Sequence, residues 1–128
     1  MQYGKRKIYK AFDGKLVGNF RMKQMVCNVL INMPDEVISY ITENCWFMGS
    51  MKNSFAYVFK GNDLKNQSLV FLGDELFFQI DSQIKYTIAH EIGHVYLNHN
   101  NSTKHKQSKK EINRQELEAD KFAKKYLI

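Results

Sequence analysis

The feature that most constrains this 128-residue chain is the run His90-Glu91-Ile92-Gly93-His94. On an α-helix, residues i and i+4 stand on one face with about 5–6 Å between their Cβ atoms. Two imidazoles so spaced can converge on one metal ion, and Glu91 lies beside the first of them as a base. The arrangement works only on a helix. Ile84, Ile88, Ile92 and Val95 supply the apolar face such a helix needs, so a helix capped by Ser82 and running to about Leu97 is expected. Gly93 costs up to about 1 kcal/mol against Ala in a helix interior. Its presence points to a close approach by another backbone or by a metal site.

Catalytic zinc takes three protein ligands and keeps one position for water, so a third donor is required. A third histidine at the H-E-x-x-H-x-x-G-x-x-H spacing is excluded, because Leu97 and Asn100 stand where Gly and His are needed. His99 would fall opposite His90 if the helix continued, and could swing in only from a loop. His105 lies in a lysine-rich stretch with nothing to orient it. The stronger donor is Glu116, within Glu116-Leu117-Glu118-Ala119-Asp120, on a helix expected from about Glu111 to Tyr126. Ile112, Glu116, Ala119, Asp120, Ala123 and Leu127 share one stripe, expected to face inward, where carboxylates are costly unless paired or bound to metal. Ala119 and Ala123 would allow close packing on the histidine helix.

On this reading Zn²⁺ is held by His90, His94 and Glu116, and Glu91 is the general base. Asp120 accepts a hydrogen bond from the far nitrogen of a ligating histidine. Glu118, about 200° around the helix from Glu116, faces solvent. Tyr86 and Tyr96 are both placed to steady an oxyanion, and the sequence does not choose between them.

The remaining elements follow from periodicity. Met22, Met25, Val26, Val29 and Leu30 form one apolar helix face, and a second helix begins at Pro34 with Val37, Ile38 and Ile41 inward. Strands are expected at Cys45–Ser50, at about Phe55–Lys60 before Gly61-Asn62-Asp63, and at Ser68–Leu72. They fit a small antiparallel sheet packed with helices, an α+β fold in a single domain of residues 1–128. Ser68–Leu72 is expected at the sheet edge, where an extended peptide could add. Residues 1–18 read as a loose arm or hairpin around the Asp13-Gly14 turn, and Asn98–Lys110 as a polar, basic loop.

Composition removes several classes. With 44% hydrophobic residues, nine Phe and seven Tyr, the chain can build a core and is unlike a disordered segment. No apolar run is long enough for a signal peptide or a membrane span, so a soluble cytoplasmic protein is expected. Cys27 and Cys45 form no C-x-x-C pair and read as buried free thiols. The net charge of +6 draws on Lys5, Arg6, Lys7 and Lys10 and on Lys104, Lys106, Lys109 and Lys110. A nucleic-acid-binding regulator is the competing reading of that charge. It lacks a recognition helix and interleaved stacking aromatics, so a solvated surface is the better account.

The two motifs together, His90-Glu91-Ile92-Gly93-His94 and Glu116-Leu117-Glu118-Ala119-Asp120-Lys121-Phe122-Ala123 after a hydrophobic strand, resemble the ImmA/IrrE family of metallopeptidases. The resemblance covers Ser68 to the C-terminus. It implies a zincin-like fold of the gluzincin type, with Glu116 as third zinc ligand on the following helix. It also implies hydrolysis of a peptide bond in a protein substrate, a transcriptional repressor or other regulator, since such proteins occur on phages and mobile elements. A catalytically idle zinc protein that inactivates a regulator by binding is the alternative. It differs in leaving no cleaved product.

Overall fold

The computed structural model describes residues 4–50, 56–60, 67–99 and 108–127. In chain order the elements are α1 (Lys5–Ala11), β1 (Leu16–Val17), α2 (Phe20–Leu30), α3 (Asp35–Asn44), β2 (Cys45–Ser50), β3 (Ala56–Lys60), β4 (Ser68–Gly73), α4 (Asp81–Tyr96) and α5 (Lys109–Tyr126), with a 3₁₀ turn at Asp74–Phe78 before α4. The fold is α+β. His105 and the Gly61-Asn62-Asp63 turn lie outside the described residues.

The helices form where their apolar spacing requires. Every residue of the expected α2 face is buried, as are Val37, Ile38 and Ile41 of α3. Asn19 caps α2, its side chain accepting a hydrogen bond from the Met22 amide at 2.9 Å. Helix α3 starts at Asp35, one residue beyond Pro34. Helix α4 starts at Asp81 without a side-chain cap, so Ser82 lies inside the helix and does not cap it. Ser108 caps α5 through the Glu111 amide at 3.1 Å, two residues earlier than the apolar spacing indicated.

Residues 4–18 form neither a loose arm nor a hairpin. Ile8 and Phe12, one helical turn apart, are fully buried, and that pair winds residues 5–11 into α1. The Phe12 ring meets Phe47 edge-on at 5.8 Å. Asp13 and Gly14 then turn the chain with positive φ, and β1 pairs with β2.

The sheet corrects a second expectation. Its order is β1-β2-β4-β3; β1–β2 and β2–β4 are parallel, and β3–β4 alone is antiparallel. After β2 the chain skips a strand position and returns through the β3–β4 pair, laying β4 beside β2. Ser68–Leu72 is therefore central, and the described sheet edges are β1 and β3. The continuous run Leu69-Val70-Phe71-Leu72 is the mark of an interior strand, since such strands are covered on both faces. Val70 and Leu72 are fully buried in the same core as Ile84, Ile88 and Ile92 of α4. Burying each such isoleucine contributes about 1.5–3 kcal/mol, which fixes α4 against the sheet and α2. Cys27 and Cys45 are free and buried, and burial raises both thiols above their ordinary range. Among the described residues no helix is long and apolar enough to cross a membrane.

Candidate metal centre

With its isoleucines in the core, α4 turns His90 and His94 toward α5. Their rings lie 4.7 Å apart between centroids, nearly perpendicular. Helix α5 approaches through Ala119 and Ala123, both fully buried. It lays Phe122 over Gly93, where an added Cβ would come within 3.1–3.2 Å of the Phe122 side chain. The glycine therefore makes room for a phenylalanine of the neighbouring helix.

This docking brings Glu116 to both imidazoles. Its Oε2 lies 3.1 Å from His90 Nε2 and its Oε1 lies 3.2 Å from His94 Nε2. Donors around a tetrahedral zinc at about 2.0–2.1 Å stand about 3.3 Å from one another. Two imidazole nitrogens and a carboxylate oxygen are also the donor chemistry zinc accepts, so these residues fit such an ion. Among the described residues, His90, His94 and Glu116 form the group of ligating side chains that could hold a metal, their atoms within 4.8 Å of one another. The His94 side chain is 7% exposed and that of Glu116 53%, so the site opens to solvent on the α5 side.

The buried stripe of α5 is rotated from the one expected. Gln115, Ala119 and Ala123 are buried, whereas Ile112 and Glu116 are exposed. The carboxylates stand at the rim of the seam and remain solvated, so desolvation is not what makes them pair.

Glu91 is largely buried. Its Oε1 lies 3.7 Å from His90 Nδ1, the ring nitrogen turned away from Glu116. The Glu91 carboxylate raises the His90 imidazole above its ordinary range against an opposing effect of burial, with Glu116 and Asp120 adding to the rise. Burial lowers His94.

Asp120 does not stand behind a histidine. Its Oδ1 lies 3.3 Å from His90 Nε2, the same nitrogen that faces Glu116. Asp120 sits one turn beyond Glu116 on α5 and shares its direction, which brings it to the front of the ring. The Tyr86 hydroxyl donates to Asp120 Oδ1, and that bond, with burial and the nearby acids, pushes Tyr86 up to about 12. Tyr86 also stacks beside His90, centroids 6.0 Å apart. Tyr96 packs instead between Tyr40, which it meets edge-on, and Phe122, which it meets at a tilt.

The group behind His94 is His99. Helix α4 ends in a Schellman motif: Asn98, at φ 59°, donates to the Val95 carbonyl at 3.1 Å, and His99 donates to the His94 carbonyl at 2.9 Å. The reversal folds His99 under His94, with the two Nδ1 atoms 2.8 Å apart and both residues buried. His99 is thus directed at the back of His94 and is not among the grouped donors. Extrapolating a straight helix missed this. The readable signal was Asn98, a residue that tolerates the left-handed conformation at a helix end. Burial, then the neighbouring His94, lowers His99. Glu118 is also corrected: it is half-buried, with Oε2 3.8 Å from His99 Nε2 and Oε1 2.6 Å from Arg114.

Compared with known proteins, residues 51–128, more than half of the chain, match the family model of Peptidase U49. No curated protein and no solved structure gives a match. The matched family agrees with the ImmA/IrrE resemblance at the level of a peptidase.

Proposed function

The chain belongs to the Peptidase U49 family, and from that premise we propose that it is a zinc-dependent endopeptidase with His90, His94 and Glu116 as metal ligands and Glu91 as general base. The observation that carries the proposal is the Glu116 carboxylate, which reaches Nε2 of both histidines from a separate helix. Bound there, zinc would acidify a water molecule and polarise the scissile carbonyl. Glu91 takes the proton of the attacking water and returns it to the leaving amine. Asp120 and Tyr86 line the front of His90, where the Tyr86 hydroxyl is held protonated by its bond to Asp120. Tyr86, rather than Tyr96, is therefore the hydroxyl beside the site, and to meet a developing oxyanion it would have to turn its single proton away from Asp120. The described sheet edge that approaches α4 is β3, and an extended substrate segment would pair there.

The test pairs zinc analysis with cleavage assays on purified wild type and Glu91→Gln, using a panel of folded proteins that includes transcriptional repressors. Wild type should bind one zinc and release cleaved product. Glu91→Gln should keep the zinc and lose about 10²–10⁴-fold in rate. Full activity in that variant would remove Glu91 from its role. Loss of zinc affinity on Glu116→Ala is expected, and its retention would displace the third ligand.

A further inference from the structure

We propose that His99 is a positioning residue for His94, orienting the ligand ring through a direct imidazole–imidazole hydrogen bond. The inference rests on the metal site proposed above and extends it by one shell.

The two Nδ1 atoms are 2.8 Å apart in a buried setting. Neutral imidazole carries one N–H and one lone pair, so a contact this short requires one ring to donate and the other to accept. If His94 binds a metal through Nε2, its proton must sit on Nδ1, and Nδ1–H then points at His99. His99 accepts on Nδ1 and carries its own proton on Nε2. That nitrogen is buried without a hydrogen-bond partner within bonding distance among the described residues, and the nearest acid facing it is Glu118 at 3.8 Å. The polarity of the pair is therefore consistent: His99 accepts, His94 donates, and the His94 Nε2 lone pair is left for the metal.

Ligating histidines usually donate their second N–H to a carboxylate, a carbonyl or water, which fixes tautomer and ring orientation. Here a second histidine takes that place, and Glu118 stands 3.8 Å beyond it, outside hydrogen-bond distance. The backbone makes the arrangement rigid. The Schellman turn bonds the His99 amide to the His94 carbonyl at 2.9 Å, so the two residues are tied through main chain and side chain at once.

Zinc affinity, by competition with a chromophoric chelator, is compared for wild type, His99→Ala and His99→Asn, each checked for folding by circular dichroism. His99→Ala should weaken zinc binding about 10- to 100-fold. His99→Asn, whose Oδ1 can stand where Nδ1 stands and accept the same bond, should recover most of that loss. In parallel, ¹⁵N NMR of zinc-loaded wild type should place the His99 proton on Nε2 and show coupling between the two Nδ1 nitrogens. A His99 proton on Nδ1 would overturn the proposal, as would an Asn variant no better than Ala. Unchanged affinity in His99→Ala, with normal wild-type binding, would sink this inference alone. A wild type with no zinc affinity would sink the metal site itself, and the inference with it.

Discussion

Helices α4 and α5 both present side chains to the candidate metal site, yet different forces hold them. Helix α4 is locked by Ile84, Ile88 and Ile92, all fully buried against the sheet and α2. Helix α5 buries only Gln115, Ala119 and Ala123, leaving Leu117 61% and Ile112 45% exposed. Alanines offer little apolar area, so α5 relies on close approach: Phe122 over Gly93 and beside Tyr96, and carboxylates against imidazoles. The histidine pair is thus set by the hydrophobic core. The position of Glu116 depends on an extensive seam of small and half-buried side chains, which a bound metal would tighten.

The largest effect should come from the core side of this contrast. Ile88→Ala should destabilise the protein by about 2–5 kcal/mol, because it opens a cavity behind the histidines. Leu117→Ala on the exposed face of α5 should stay within about 0.5 kcal/mol. Denaturant melts of the two variants measure the difference, and equal losses would break the comparison.

An intermediate effect is expected where the helices touch. Gly93→Leu places its side chain into the space of Phe122 and should cost about 1–3 kcal/mol. Because Phe122 is carried by α5, zinc affinity should fall with it although no ligand is altered. Titration with zinc decides the point: undiminished affinity would mean that α5 is placed independently of this contact.

The smallest effect concerns protons. In the metal-free protein, burial lowers His94 and His99, so the folded chain binds their protons less readily than the unfolded chain. That contribution to stability is present above the unfolded imidazole value of about 6.5 and is lost as pH falls below it. His90, raised chiefly by Glu91, works in the opposite direction, contributing below that value and losing its contribution as pH rises through its own. The buried pair His94 and His99 favours a lower melting temperature for the metal-free protein at pH 5.5 than at pH 7.5, with His90 opposing it. A higher value at pH 5.5 would show that His90 outweighs the pair near the end of α4.

Periodicity made several of these features readable in advance. The apolar faces of α2, α3 and α4 are local repeats, and His90 and His94 fall on one side of a helix by spacing alone. Glu116 meets the histidines although the inward stripe that points to it is rotated, which leaves the carboxylate at the exposed rim of the seam. The misreadings share another cause. Helical spacing puts Asp120 behind a histidine, whereas it lies in front of one; a straight helix carries His99 to the far side, whereas the chain reverses at Asn98. Ser68–Leu72 lies inside the sheet and not at the expected edge, in keeping with its unbroken apolar run.

By itself the sequence determined which side chains could act together along one helix, because backbone geometry repeats every few residues and the repeat is written in the residue order. Only the tertiary structure decided which strand lies at the centre, which face of α5 meets α4, and which group stands behind His94. Those choices depend on contacts between segments distant in sequence, or on one residue's turn at a helix end, and no period encodes them.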